Sequence, residues 1–290
     1  MIIPVITTYK PDDGLRARFE PLLEACGAIV VVDNTPGGHK NFDLPEGFHI
    51  LQNMENLGLG RALNAGLAHA RRLGADEVIL FDQDSSPSVD FVRAMVASLH
   101  KAIAHHGQRT GVGPAHVDDE TGTVQASRWQ RAKVDKDFEQ VTCLATSGMT
   151  IPASALGPDD GFSNDFFLDL ADFEWCWRLR TRGWTFVRDN SVQMAHRLGV
   201  AERHWMGICF HVPAPYRHYF QFRDTLALLP RRYVPIYSKL RLTGVLPLKM
   251  LVYPFILDRG GERVGWMLKG IRDALRGIRG IGAAFDRLSR

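Results

Sequence analysis

The first hundred residues alternate between two patterns of apolar and polar positions. Short, β-branched apolar runs that end in turn-forming residues predict strands buried in a sheet. Apolar residues recur at helical spacing from Leu59 to Ala70, and again over 89–106. The predicted strands lie at 2–7, 28–34, 48–53 and 77–82. This alternation predicts an α/β fold with a mostly parallel, Rossmann-like sheet that is covered by helices on both faces.

The pattern changes near Gly111, where shorter strands and polar loops replace the regular alternation. A helical pattern runs from Ala171 to Arg182, and the chain beyond Pro213 is typical of helices. Strands are predicted at 121–127, 147–153, 184–189 and 192–196, and helix breaks at Pro230, Pro235 and Pro247. We therefore expect one catalytic domain (residues 1–228) and a helical C-terminal extension (residues 229–290).

Charge is distributed unevenly along the 290-residue chain. The net charge is +3, but residues 239–290 hold 11 Lys/Arg against 4 Asp/Glu, so the preceding part carries −4. The acidic main part disfavours a nucleic-acid-binding module. The basic tail predicts an acidic partner such as a membrane surface, or else a solvated helical face.

Cysteine usage and the first residues predict a cytoplasmic protein. The four cysteines are scattered without a C-x-x-C pair, which fits a reducing compartment. The start MIIPVITTYK lacks the basic and long apolar parts of a signal peptide.

The first predicted strand is not followed by the G-x-G-x-x-G motif of a Rossmann dehydrogenase, which disfavours that class of enzyme.

Polar residues follow three of the predicted strands: Thr7-Thr8-Tyr9, Asp33-Asn34, and Asp82-x-Asp84. Ligands of open α/β sheets bind beyond the carboxyl ends of the strands, so we expect these clusters to converge. Asp82 and Asp84 point to the same side in extended backbone. A divalent cation bridging nucleotide phosphates would offset the repulsion between their carboxylates.

The chain resembles the family 2 inverting glycosyltransferases, which have the GT-A fold, in the strings VVDNTPGG, NMENLGLGRALNAGLAHA and ADEVILFDQDSSPSVDFVRAM. The similarity continues through SGMTIPASAL, FFLDLADFEWCWRLRTRGW, AHRLG and YRHYFQFRDTLALL, and it covers residues 2–228. It is closest to the rhamnosyltransferase branch that acts on cell-surface polysaccharides.

The resemblance implies a donor site at the first strands. Thr8 and Tyr9 match the positions that hold the base and ribose, and Asp33 matches the carboxylate that accepts a hydrogen bond from the base imide. An Asx turn is the structural alternative for Asp33. The segment packed against the donor is matched by Asn56, Gly58 and Arg61, with Asn64 one helical turn further on. The D-x-D motif is matched by Asp82 and Asp84, of which Asp84 is the stronger candidate ligand of Mg²⁺ or Mn²⁺.

The resemblance also places a catalytic base in FFLDLADFEWCWRL. Asp172 matches the carboxylate that takes the proton from the acceptor hydroxyl, with Asp169 or Glu174 as the fallback. Both fallbacks have structural alternatives, a helix cap for Asp169 and an ion pair with Arg178 for Glu174. His196 matches a histidine that contacts the metal or the diphosphate. Asp224 departs from the family, which usually has Asn at this position, in a segment that the resemblance associates with contact to the acceptor or the diphosphate.

The basic tail has an amphipathic pattern that fits the headgroup region of a bilayer. The apolar residues on its predicted face are Trp266, Leu268, Ile271, Leu275 and Ile278, with Arg272, Arg276 and Arg279 nearby. Contact of this face with the inner side of the cytoplasmic membrane would bring the enzyme to lipid-linked acceptors. Packing against the body of the protein or against a second copy in a homodimer is the alternative.

The function implied is metal-dependent transfer of a sugar from a nucleotide donor, dTDP-L-rhamnose in the rhamnosyltransferase branch, to a cell-surface polysaccharide or lipid-linked saccharide. A UDP-hexose or UDP-galactofuranose donor stays open, because thymine and uracil share the same imide edge. An alternative of another class is a nucleotide-binding scaffold that has lost turnover. The joint presence of Asp82, Asp84, Asp172 and His196 speaks against it.

Overall fold

The structure, a computed structural model, describes residues 1–39, 42–118, 131–134, 138–196, 201–205 and 208–282. Its strands are β1 Ile2–Thr8, β2 Ile29–Asp33, β3 Phe48–Gln52, β4 Glu77–Asp82, β5 Thr110–Asp118, β6 Arg131–Val134, β7 Glu139–Val141, β8 Thr150–Pro152, β9 Thr185–His196, β10 Ala201–Trp205 and β11 Ile208–Val212. Its α-helices are α1 Leu15–Phe19, α2 Leu23–Cys26, α3 Leu59–Arg72, α4 Val89–His106, α5 Ala171–Arg180, α6 Arg217–Leu228, α7 Ile236–Ile256 and α8 Gly260–Leu275.

One large sheet organises the described part of the chain, with the strand order β3-β2-β1-β4-β8-β5-β9-β7-β6. The first four strands in this order are parallel, as predicted. The second half is mixed, because β8 runs antiparallel to both of its neighbours while β5 and β9 are parallel to each other. It follows that β5 and β9 run in the same direction as β4, so their carboxyl ends lie at the same edge of the sheet.

Helices cover both faces of the sheet, because alternate strand residues enter two separate cores. Val78 and Leu80 pack in the core beneath α3 and α5, whereas Ile79 and Phe81 pack in the core beneath α1, α2 and α4. The period-2 alternation of a strand produces this division. The predicted α/β architecture with helices on both faces is confirmed.

Several element boundaries differ from the prediction. The helix predicted to reach Arg182 ends two residues earlier. The two strand segments predicted at 184–189 and 192–196 form the single strand β9, whose pairing with β5 shifts register at Pro114. The strand predicted at 121–127 lies outside the described residues.

The predicted break at Pro247 is wrong, since α7 continues through both Pro247 and Pro254. Proline removes one backbone hydrogen bond from a helix, a cost of about 3 kcal/mol. Apolar contacts of Leu246 and Tyr253 with Phe222 and Met267 hold the helix in place and offset that loss. Among the described residues, no helix is long and apolar enough to cross a membrane.

Candidate active site

Three predicted polar clusters do converge at the carboxyl edge of the sheet. β1 lies between β2 and β4, so that Thr8 is opposite Asp33 and Thr7 is opposite Asp82. These strands end where their apolar alternation gives way to polar residues. The resulting edge is the ligand-binding position expected for this kind of fold.

Asp33 lies beneath this edge and is fully buried. Its carboxylate accepts hydrogen bonds from the hydroxyls of Thr8 (3.0 Å) and Thr35 (2.7 Å) and from the backbone N–H groups of Thr35 and His39. These bonds organise the loop that follows β2 in the manner of the Asx-turn alternative. The contact of Asp33 with a nucleotide base stays a prediction.

A cavity of about 640 Å³ opens above the sheet edge. Five of the predicted donor-site residues line it, namely Thr8, Tyr9, Asn56, Gly58 and Asp82. Gly58 has a φ of +86°, and a Cβ atom there would lie 2.6 Å from the carbonyl oxygen of Phe167. Only glycine fits this close approach.

Arg61 lines a second cavity of about 640 Å³ rather than the first. The two cavities adjoin, because Asn56 and Ile281 line both. Asn64 lines neither and instead exchanges two hydrogen bonds with the backbone of Phe162, so its structural role is the one the structure supports.

Asp82 and Asp84 differ in environment, since Asp82 is half-buried in the cavity wall and Asp84 is exposed. No group of three or more His, Cys, Asp or Glu side chains gathers within the described ranges. A pair of carboxylates at a nucleotide-sized cavity nevertheless fits Mg²⁺ or Mn²⁺, because such ions take one or two carboxylates and complete their shell with phosphate and water oxygens. His196 is the last residue of β9, and its side chain lies outside the described part.

Asp172 stands in the first turn of α5 and accepts a hydrogen bond from the backbone N–H of Phe173 at 2.8 Å. Burial raises the pKa of Asp172 to about 7, and the negative charge of Asp82 adds to the effect. A carboxyl group with a pKa near the working pH is suited to accept a proton during a reaction. Asp172 is not among the residues that line the cavity at the sheet edge.

The two fallback carboxylates are occupied by other partners. Asp169 forms an ion pair with Arg217 at 2.5 Å. Glu174 is buried and accepts hydrogen bonds from Arg178 (2.8 Å) and from the hydroxyl of Tyr233 (2.6 Å). Each therefore stabilises the packing of α5, and Asp172 remains the best candidate for the base.

Five further residues that line the cavity were not indicated as part of a site by the sequence. They are Phe167, Tyr216, Arg259, Glu262 and Trp266. The prediction that Trp266 lies on an exposed lipid-binding face is wrong, because this side chain is only 9% exposed and faces the cavity. Gly270 is a sequence signal for the packing of α8, since a glycine inside a helix often marks close packing against another element.

Comparison with known proteins gives consistent results. The family model described as glycosyl transferase family 2 matches residues 6–157, just over half of the chain. A dTDP-rhamnosyl transferase, RfbF of Shigella flexneri, is 25% identical over 300 residues, which cover 97% of this chain and 96% of that protein.

Solved structures share the fold at low sequence identity. S. aureus TarS 1–349 in complex with UDP-GlcNAc has a TM-score of 0.56 at 12% identity and matches 96% of this chain and 81% of that one. GalNAc-T7 with UDP, GalNAc and Mn²⁺ has a TM-score of 0.52 at 12% identity and matches 84% of this chain and 54% of that one. The expected GT-A fold is confirmed.

Proposed function

Since the chain belongs to glycosyl transferase family 2, we propose that it is an inverting glycosyltransferase that moves L-rhamnose from dTDP-L-rhamnose to a saccharide of the cell envelope. The observation that carries the proposal is the convergence of Thr8, Asp33 and Asp82 at one sheet edge, where a nucleotide-sized cavity opens. The rhamnose donor is supported by the similarity to a dTDP-rhamnosyl transferase along nearly the whole chain. A UDP-sugar donor is the alternative.

In this proposal the nucleotide lies along Thr8, Tyr9, Asn56 and Gly58, with its diphosphate toward Asp82. Tyr9 is 42% exposed, so its ring can stack on a pyrimidine. Asp82 and Asp84, with His196 as the predicted third contact, would hold a Mg²⁺ or Mn²⁺ ion, whose positive charge would stabilise the leaving diphosphate. Arg61 lines the adjoining cavity, so in this proposal it contacts the phosphates from that side.

Asp172 acts as the base. Its carboxylate takes the proton of an acceptor hydroxyl while that oxygen attacks the anomeric carbon from the face opposite the diphosphate. The new C–O bond forms as the bond to the diphosphate breaks, and the diphosphate keeps the electron pair. Attack from the opposite face inverts the configuration at the anomeric carbon.

Calorimetric titration of dTDP and of UDP, with and without Mg²⁺ or Mn²⁺, tests the donor site. We expect metal-dependent binding that is lost in Asp84→Asn and kept in Asp90→Asn, a matched exposed aspartate on α4. NMR analysis of the product made from dTDP-L-rhamnose then gives the anomeric configuration. Failure of both nucleotides to bind a folded sample overturns the transferase proposal, and binding without turnover on any acceptor favours the scaffold alternative.

We also propose that the extension (residues 229–290) holds the enzyme at the inner face of the cytoplasmic membrane, but through α7 rather than through α8. Five strongly exposed apolar side chains of α7 lie within about 120° of arc on one helix face. They are Ile236 (69%), Leu240 (67%), Leu248 (56%), Leu251 (70%) and Phe255 (87%). Residues 225–257 contain no Asp or Glu and five Lys or Arg, so this surface complements an anionic bilayer.

Co-sedimentation with vesicles of phosphatidylglycerol and phosphatidylcholine tests this surface. We expect the double variant Leu251→Ser, Phe255→Ser to bind anionic vesicles about a hundredfold more weakly, since each lost apolar contact is worth roughly a factor of ten. The control is Leu268→Ser, Leu275→Ser on α8, which keeps α7 intact. Equal binding by the α7 variant, or a dimer that forms through α7 and excludes vesicles, overturns the membrane proposal.

A further inference from the structure

The cavity at the sheet edge has a second wall that the donor does not explain. The C-terminal extension contributes Arg259, Glu262 and Trp266 to the same cavity that Tyr9 and Asp82 line. These three residues lie at the start of α8, and of them the sequence analysis had assigned only Trp266 to a lipid-facing surface. The extension therefore builds part of the candidate active site.

Helix α8 packs closely against the catalytic domain along its length. A Cβ atom at Gly270 would lie 2.5 Å from the backbone carbonyl oxygen of Tyr219, so the backbones of α8 and α6 approach each other closely at this point. Further along, the Tyr219 hydroxyl donates to Asp273 at 2.8 Å. Arg263 is only 2% exposed and donates to the carbonyl of Pro213 at 2.7 Å. A wall fixed in this way is preorganised for a ligand.

The side chains of this wall suit a ligand that is polar but uncharged. Glu262 forms an ion pair with Arg259 at 2.6 Å and accepts a hydrogen bond from the indole N–H of Trp266 at 3.2 Å. The carboxylate and the guanidinium together offer acceptors and donors without net charge. A carboxylate at this position disfavours phosphate, whereas sugar hydroxyls both donate and accept. Tyr216 adds an aromatic surface that is 39% exposed.

We propose that Arg259 and Glu262, with Tyr216 beside them, form the subsite for the acceptor saccharide. Trp266 is a positioning residue that holds the Glu262 carboxylate through its N–H group. This inference rests on the proposed function, because it names the substrate class of the second half of the same cavity. It makes the extension a determinant of acceptor specificity in addition to its membrane role.

Saturation-transfer NMR with L-rhamnose, D-glucose, D-galactose and N-acetylglucosamine tests the subsite, with and without dTDP and Mn²⁺. We expect at least one of these sugars to receive saturation from the wild-type protein. Its affinity should fall about tenfold or more in Glu262→Ala, because a charge-assisted hydrogen bond is lost. The variant Glu262→Gln keeps the shape of the side chain, so a loss of sugar affinity in this variant as well would show that the effect does not come from misfolding. Arg276→Gln, at an exposed position just beyond the end of α8 and outside the cavity, should change nothing.

The variant Trp266→Phe tests whether Trp266 acts by positioning the Glu262 carboxylate, because it removes the indole N–H group and keeps an aromatic ring. With a sugar that acts as acceptor, we expect its KM to rise while the affinity for dTDP stays within about twofold of wild type. Unchanged sugar binding in both Glu262 variants, or no sugar signal from a protein that binds dTDP, overturns the subsite. If sugars bind through Glu262 but no nucleotide binds, the donor proposal fails and the subsite stands.

Discussion

Replacing the candidate base Asp172 by Asn should make the protein more stable and at the same time inactive. The folded-state pKa of Asp172 is about 7, whereas its ordinary value is 3.8, so the folded protein holds this proton over a range where the unfolded chain has released it. Stability contributed by the protonated group is complete below pH 3.8 and is lost as the pH rises to about 7. The neutral amide introduced by Asp172→Asn carries no such penalty, and its oxygen can still accept from the N–H of Phe173.

The magnitude follows from the two pKa values. At about 1.4 kcal/mol for each pH unit between 3.8 and about 7, the penalty has an upper bound of about 4 kcal/mol. Asp172 is half-buried, and water that reaches its carboxylate reduces the effect, so we expect a gain of about 1–3 kcal/mol at pH 8. Urea unfolding of wild type and Asp172→Asn in chelator, at pH 5, 7 and 8, measures it.

The gain should shrink steadily toward pH 5 and should also shrink at pH 8 when Mn²⁺ and dTDP are added, because positive charge stabilises the carboxylate of the wild type. Transfer activity should fall by about 10²–10⁴-fold at every pH, the usual contribution of a positioned base. A variant that is destabilised equally at all three pH values would refute the claim that Asp172 is held in an environment that disfavours its charge.

Two further predictions concern stability. Gly58→Ala should cost about 1–3 kcal/mol more than Gly107→Ala in urea unfolding, because both glycines have positive φ but only at Gly58 does a Cβ meet the carbonyl of Phe167; equal costs would contradict this. Asp224→Ala should cost about 3–5 kcal/mol by stranding the buried Arg223, which pairs with Asp224 at 2.7 Å. Asp224→Asn should cost less, and a similar loss in both variants would argue against the pairing as the cause.

Asp224, the residue that departs from the family, illustrates what a local sequence pattern cannot predict. Asp224 was unexplained in the sequence, where Asn is usual. In the structure it is fully buried beside Arg223, and burial raises its pKa to about 7. The guanidinium of Arg223 stabilises the charged form of this carboxylate and so opposes the effect of burial on its pKa. Burial of this kind depends on the helices that pack around α6 and cannot be read from the string YRHYFQFRDT.

The sequence by itself determined the strands β1 to β4, helices α3 and α4, and the polar residues at the strand ends. It did so because side-chain periodicity and turn residues act over a few neighbours, and because parallel strands bring their carboxyl ends to one edge. The position of Asp172 at the start of α5 was also found from its motif.

Only the tertiary structure decided which apolar faces are covered. Helical periodicity defines a face on both α7 and α8, but packing of α8 against α6 buries Trp266 and leaves Phe255 of α7 exposed. The same packing brings Glu262 to the cavity that Asp82 also lines, although the two are 180 positions apart in the sequence. Such contacts depend on how distant elements fill space against one another, and no local pattern of residues encodes them.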